Sequence, residues 1–201
     1  MTFRAARRVG PEGRVLAFEP LAANASCLLR GVAANGFENV IVRQAAATDG
    51  RRPVILSLLS NSKVRATQDP LHAHAVAQGL PLDDALAHEP RLDFIKLDIE
   101  GHEPWALRGA LSVLRRHSPW VLCEFNPQML GEQGVDPADM ARLVFDLTDR
   151  VAAIDSDGRR GAVHDADGLM ALWADRDADS AAAGRLPAGW VHFDLLFKVG
   201  G

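Results

Sequence analysis

Short apolar runs alternate along this chain with longer stretches whose apolar residues recur every third or fourth position. The first pattern suits a strand buried on both faces and the second an amphipathic helix. Together they predict an α/β fold, a mainly parallel sheet with helices on both faces. Arg14-Val15-Leu16-Ala17-Phe18-Glu19 is the first run, and Pro20 stops it. Residues 24–35 follow with Leu28, Leu29, Val32 and Ala33 on one helical face, and Asn35-Gly36 provides a helix stop. Val40-Ile41-Val42 predicts the next strand, ahead of the small residues Ala45-Ala46-Ala47 and the turn Thr48-Asp49-Gly50.

The pattern weakens over residues 51–80, where 54–59 suggests an extra strand and 61–79 a mobile loop with some helix. Residues 82–86 suit a short helix, and Leu92-Asp93-Phe94-Ile95-Lys96-Leu97-Asp98 a strand. Residues 104–116 then read as one helix with Leu107, Ala110, Leu111 and Leu114 facing inward. Trp120-Val121-Leu122-Cys123-Glu124-Phe125 is the next strand. Asp136-Pro137 opens a helix to residue 149, with an N-cap and a proline at its first position. Residues 151–154 form a short strand and 155–188 an elaborated connection rich in Asp, Gly, Ala and Arg. Residues 191–199 alternate as a last strand, expected to run antiparallel at the far side of the sheet.

Composition adds exclusions. A chain of 201 residues, 48% hydrophobic and 24% charged, suits one ordinary globular domain, and no internal repeat or boundary divides it. A net charge of −4 with scattered arginine pairs argues against nucleic acid as a partner. Cys27 and Cys123 lie in a helical and a strand pattern, so both suit small buried hydrophobes rather than a disulfide or a metal site. No run is apolar over the roughly 18 residues of a membrane span, and no h-region follows the N-terminal arginines. The expected compartment is the cytoplasm.

In an open α/β sheet, ligands bind beyond the carboxyl ends of the strands, and chemistry gathers there. Glu19 ends one strand, where a carboxylate can accept both hydroxyls of a ribose; the competing explanation is a solvated acid. Denser still is Lys96-Leu97-Asp98-Ile99-Glu100-Gly101-His102-Glu103, an apolar strand running into three acids and a histidine. Such a cluster could orient a substrate hydroxyl, take its proton or hold a divalent cation. Helix N-terminal acids and a surface histidine would also account for it. Glu124 ends the following strand and could line the same cleft.

From Gly10 to Glu124 the chain resembles the FkbM family of S-adenosylmethionine-dependent methyltransferases. The resemblance rests on Val9-Gly-Pro-Glu-Gly-Arg-Val-Leu-Ala-Phe-Glu-Pro20, on Asn35-Gly36 with Asn39-Val40, and on Leu82-Asp83-Asp84. It rests above all on Asp93-Phe94-Ile95-Lys96-Leu97-Asp98-Ile99-Glu100-Gly101, with Leu107-Arg108-Gly109-Ala110 and Glu124 following. It implies a Rossmann-like class I methyltransferase fold, with a core of about residues 10–125 and a sheet-completing part of about 126–201. It also implies methyl transfer from S-adenosylmethionine to a hydroxyl of a small molecule or sugar. Glu19 and Pro20 would then hold the cofactor ribose, backbone near Ala46 would face the adenine, and Asp98 would lie beside the methionine part and the acceptor. Glu100 and His102 are the candidates for the base, and no metal is expected.

One departure stands out. The family opens with a strand and a glycine loop, whereas this chain opens at Met1-Thr2-Phe3-Arg4-Ala5-Ala6-Arg7-Arg8, which suits the end of the helix after that loop. An N-terminal truncation is therefore expected, with the central first strand missing and its two neighbours left with unpaired edges. The alternatives to an active enzyme are an inactive methyltransferase-like remnant that binds a partner, and a nucleotide-dependent oxidoreductase, which the Asp98 run does not support.

Overall fold

The computed structural model of the chain describes residues 1–58, 64–65, 73–155 and 158–200. They form two compact units, Met1–Leu80 and Pro81–Gly201.

The first unit begins with α1 (Thr2–Val9), β1 (Val15–Phe18), α2 (Ala22–Ala34) and β2 (Val40–Arg43). Its two strands pair in parallel, from Val15 opposite Val40 to Phe18 opposite Arg43. The Asn39 side chain donates to the carbonyls of Ala6 and Gly10, tying the end of α1 to the start of β2. A Cβ on Gly31 would lie 2.4 Å from the Phe3 ring, so glycine is what allows α1 to pack on α2. The buried stripe of α2 is narrower than expected. Ala25 and Val32 are buried and Leu28 partly so, but Leu29 is 52% exposed and Ala33 is exposed. These two sit about 100° round the helix from Leu28 and Val32, past what a two-stranded sheet covers. Cys27, across the helix from Leu29, is also exposed, not buried.

A second, four-stranded sheet completes this unit, in the order β3 (Ala46–Ala47), β6 (His74–Leu80), β4 (Pro53–Ser57) and β5 (Val64–Arg65). The loop with some helix expected over residues 61–79 is therefore a strand from His74 onward. Its signal was inverted: Ala77 and Gly79 point inward while Val76, its one β-branched residue, is 66% exposed. Small residues are needed inside, because a Cβ on Gly79 would lie 2.6 Å from the Arg52 carbonyl. Residues 61–63 and 66–72 of that segment, with 59 and 60 before it, lie outside the described residues.

The second unit runs α3 (Leu82–Ala85), β7 (Phe94–Leu97), α4 (Glu103–Arg108), α5 (Leu111–His117), β8 (Trp120–Phe125), α6 (Pro127–Glu132) and α7 (Pro137–Phe145). It then adds β9 (Val151–Ile154), β10 (Arg160–Val163), α8 (Ala166–Ala182) and β11 (Phe193–Lys198). The five strands lie in the order β10-β9-β11-β8-β7, and β7–β8 is their one parallel pair. The expected mainly parallel sheet is thus replaced by mixed sheets. The final strand is antiparallel as expected but sits in the middle of its sheet, between β8 and β9, not at the far side. Among the described residues β1 pairs with β2 alone and β7 with β8 alone.

One face of the five-stranded sheet is core. Ile95, Leu97, Val121, Cys123, Phe125, Phe193, Leu195, Phe197, Val151 and Ala153 are all buried. The other face, which carries Lys96, Leu122, Glu124, Asp194 and Ile154, is only half-buried. The single helix expected over 104–116 is broken at Gly109-Ala110. The Asp83 carboxylate accepts from the amides of Ser112 and Val113, so α5 starts afresh on that cap. The 17-residue helix α8 was hidden because its buried side includes Arg176, Asp177 and Ser180. Arg176 pairs with Asp155 and lies over the Phe193 ring, while Asp177 accepts from the amides of Gly189 and Val191.

Candidate functional site

Beyond β7 the chain makes a tight turn that the sequence demands at two positions. Glu100 has φ 59° and Gly101 φ 90°, both left-handed. A Cβ on Gly101 would stand 2.5 Å from the Met129 carbonyl of α6, so only glycine fits. A non-glycine residue held in this region marks backbone kept under constraint, and such residues cluster at functional sites. The turn closes from inside as well: Glu103, 1% exposed at the start of α4, accepts the Ile99 amide on Oε1 at 2.8 Å. Burial pushes the Glu103 carboxyl up to about 7, the Glu124 charge adding to that and the amides of Ile99, Glu103 and Gly101 opposing it.

On the half-buried face the β7, β8 and β11 side chains form a charged group. The register sets Glu124 directly opposite Asp194, and Lys96 opposite Leu122. The Lys96 ammonium bridges Asp98 at 3.1 Å and Asp194 at 3.8 Å. Burial raises the Glu124 pKa, and repulsion from Asp98 and Glu100 adds to that, against the opposing pull of His192 and the Asn126 side chain. Its Oε2 is buried with no hydrogen-bond partner among the described residues. Burial likewise pushes the neighbouring Cys123 thiol up, so it stays protonated.

The structure therefore brings Asp98, Glu100 and Glu124 into one electrostatic group, in which the charges of Asp98 and Glu100 act on the Glu124 carboxyl. His102 is placed differently. It is 5% exposed at the N-cap of α4, with its ring stacked on Trp105 at 4.6 Å and 15°. It is buried, not the surface histidine considered from the sequence. Asp194 and His192 were not singled out from the sequence, and Glu103 entered there only as the third acid of the run from Lys96. His192 and Asp194 did leave a signal, two polar residues at i and i+2 on one face of a mostly apolar run. Among the described residues, no group of three or more His, Cys, Asp or Glu could hold a metal ion.

In the first unit Glu19 stands just past β1, half-buried, with Oε1 accepting the Leu21 amide at 2.9 Å. Pro20 separates that strand from α2. The Arg43 carbonyl accepts from both Glu19 and Ala45, 3.0 Å each, gathering the carboxyl ends of β1 and β2 round one oxygen. Ala46 is buried at 4% in β3, opposite Gly79, and packs with Val54, Leu56 and Ala77. No helix among the described residues is long and apolar enough to cross a membrane.

Comparison with known proteins gives one family and one structure. The family model of the methyltransferase FkbM domain matches residues 1–151, further at both ends than the stretch from Gly10 to Glu124. The chain is similar to the crystal structure of a methyltransferase FkbM from Methylobacillus flagellatus KT, with 18% identity and a TM-score of 0.51. That likeness covers 92% of this chain but 36% of the other, so the chain spans about a third of that protein's length. A search of the curated proteins finds no match.

Proposed function

Because the chain belongs to the FkbM methyltransferase domain family, we propose that it serves an S-adenosylmethionine-dependent O-methyltransferase acting on a hydroxyl of a small molecule or sugar in the cytoplasm. The observation that carries this is the carboxylate group of Asp98, Glu100 and Glu124 beyond the parallel β7–β8 pair. Its chemistry fits the cofactor: the methionine end is cationic at its sulfonium and amino group, and clustered carboxylates favour such a charge. Glu19, at the carboxyl end of the parallel β1–β2 pair, has the chemistry for ribose hydroxyls. When bound, the cofactor supplies an electrophilic methyl group for in-line displacement.

The chain's own part is positioning and proton transfer. Asp98 orients the acceptor and the methionine end. A carboxylate of the cluster takes the hydroxyl proton as the new bond forms, and Glu100 is better placed for this than the buried His102. Glu124 is kept basic by burial and by its neighbours' charge, which suits a proton store behind them. The family match runs across both compact units, which supports taking residues 1–201 as one methyltransferase-like domain. A non-catalytic binding role is favoured by one observation, the single strand partner that β1 and β7 each have among the described residues.

Calorimetric titration with S-adenosylmethionine tests the proposal. Binding should occur, and Glu19→Ala should weaken it by about 2 kcal/mol, the loss of a charge-assisted hydrogen bond. In the presence of an acceptor, Asp98→Asn or Glu100→Gln should slow transfer about 10²-fold. No binding by the wild-type chain, or equal affinity in Glu19→Ala, refutes the cofactor assignment.

A further inference from the structure

We propose that Glu103 is a positioning residue: its carboxyl group holds the turn that aims Asp98 and Glu100, without itself touching a ligand. The inference rests on the methyltransferase proposal only for what the turn is aimed at. The turn holds two left-handed residues in succession, Glu100 and Gly101, so it needs contacts that fix it. From outside, Gly101 is pressed against the Met129 carbonyl. From inside, the Glu103 side chain reaches back to the Ile99 amide at 2.8 Å, and the Gly101 amide also acts on it.

Glu103 is 1% exposed, so its side chain is no surface acid at a helix start. A buried carboxyl group is costly to keep, and a same-sized apolar residue would fill the space as well. What the apolar residue cannot do is accept the Ile99 amide. That bond fixes the main chain between Asp98 and Glu100. Among charged groups, Glu124 from β8 acts on Glu103, while Asp98, Glu100 and His192 act on Glu124.

Two variants separate holding the turn from filling space. Glu103→Leu keeps the bulk and loses the acceptor, while Glu103→Gln keeps an oxygen for the Ile99 amide. Amide hydrogen exchange is followed residue by residue in the ligand-free chain. The Ile99 amide should exchange at least about tenfold faster in Glu103→Leu, the loss of one buried hydrogen bond. Protection there should return in Glu103→Gln, with Val121 and Leu195 at the sheet centre unchanged in both. Unchanged Ile99 exchange in Glu103→Leu, equal exchange in the two variants, or faster exchange across the whole sheet would each overturn the proposal. A second arm titrates S-adenosylhomocysteine, which Glu103→Leu should bind at least about tenfold more weakly and Glu103→Gln as wild type does, the same bond now read at the ligand. If the wild-type chain fails to bind it, the methyltransferase proposal falls while the exchange result still decides the role of Glu103.

Discussion

Replacing Glu103 by glutamine should change how stability depends on pH, and the size follows from the burial of one group. The Glu103 carboxyl, 1% exposed, titrates at about 7 in the folded chain against 4.5 as the ordinary value. Between those values the native state holds a proton that the unfolded chain has shed. Stability from this group is therefore full below 4.5, falls as pH rises through the window, and levels off above about 7. The interval is 7 − 4.5 = 2.5 units, and at about 1.36 kcal/mol per unit the loss is about 3 kcal/mol. Glutamine carries no titrating proton, so Glu103→Gln lacks the decline. Its stability relative to wild type should rise by about 3 kcal/mol from pH 4.5 to pH 8. Urea unfolding at a series of pH values measures it, and comparing the two chains cancels most groups that titrate alike in both. The four tryptophans, Trp105, Trp120, Trp173 and Trp190, all lie in the second unit, so their fluorescence reports the unit that contains Glu103. A wild-type minus variant difference that stays flat across the range refutes the reasoning and means that Glu103 is solvated.

Gly101→Ala should lower stability by about 3 kcal/mol in urea unfolding, from left-handed strain together with the clash on Met129. Gly36→Ala, also left-handed but with nothing within 4 Å of the added carbon, should cost only about 1 kcal/mol; equal costs would mean that the contact of Gly101 with α6 is relaxed. Asp83→Ala removes the acceptor for the Ser112 and Val113 amides and should cost about 1–2 kcal/mol. Asp83→Asn should recover part of that loss, and an unchanged urea midpoint in Asp83→Ala would remove the cap from the account of why α5 starts at Leu111.

The sequence alone determined what local chemistry decides. Pro20 after Phe18 ends β1, Asn35-Gly36 ends α2, and the Asp136 side chain accepts the Ala138 amide to cap α7 as its position implied. Motif residues also located the acids past β7, because an apolar run breaking into Asp98, Ile99, Glu100 and Gly101 is legible without coordinates. Tertiary structure decided whatever depended on a partner distant in the chain. Asp83 restarts a helix whose own periodicity ran on unbroken through Gly109, and Arg176 and Asp177 are buried only because Asp155 and the amides of Gly189 and Val191 meet them there. The last strand's place at the middle of its sheet follows from pairing with two strands, β8 and β9, whose separation along the chain no periodicity encodes. The different surroundings of His102 and Glu103 have the same origin, because adjacent polar residues look alike in sequence. Packing under Trp105 removed the histidine from solvent, and the turn's buried amides gave the glutamate its partner.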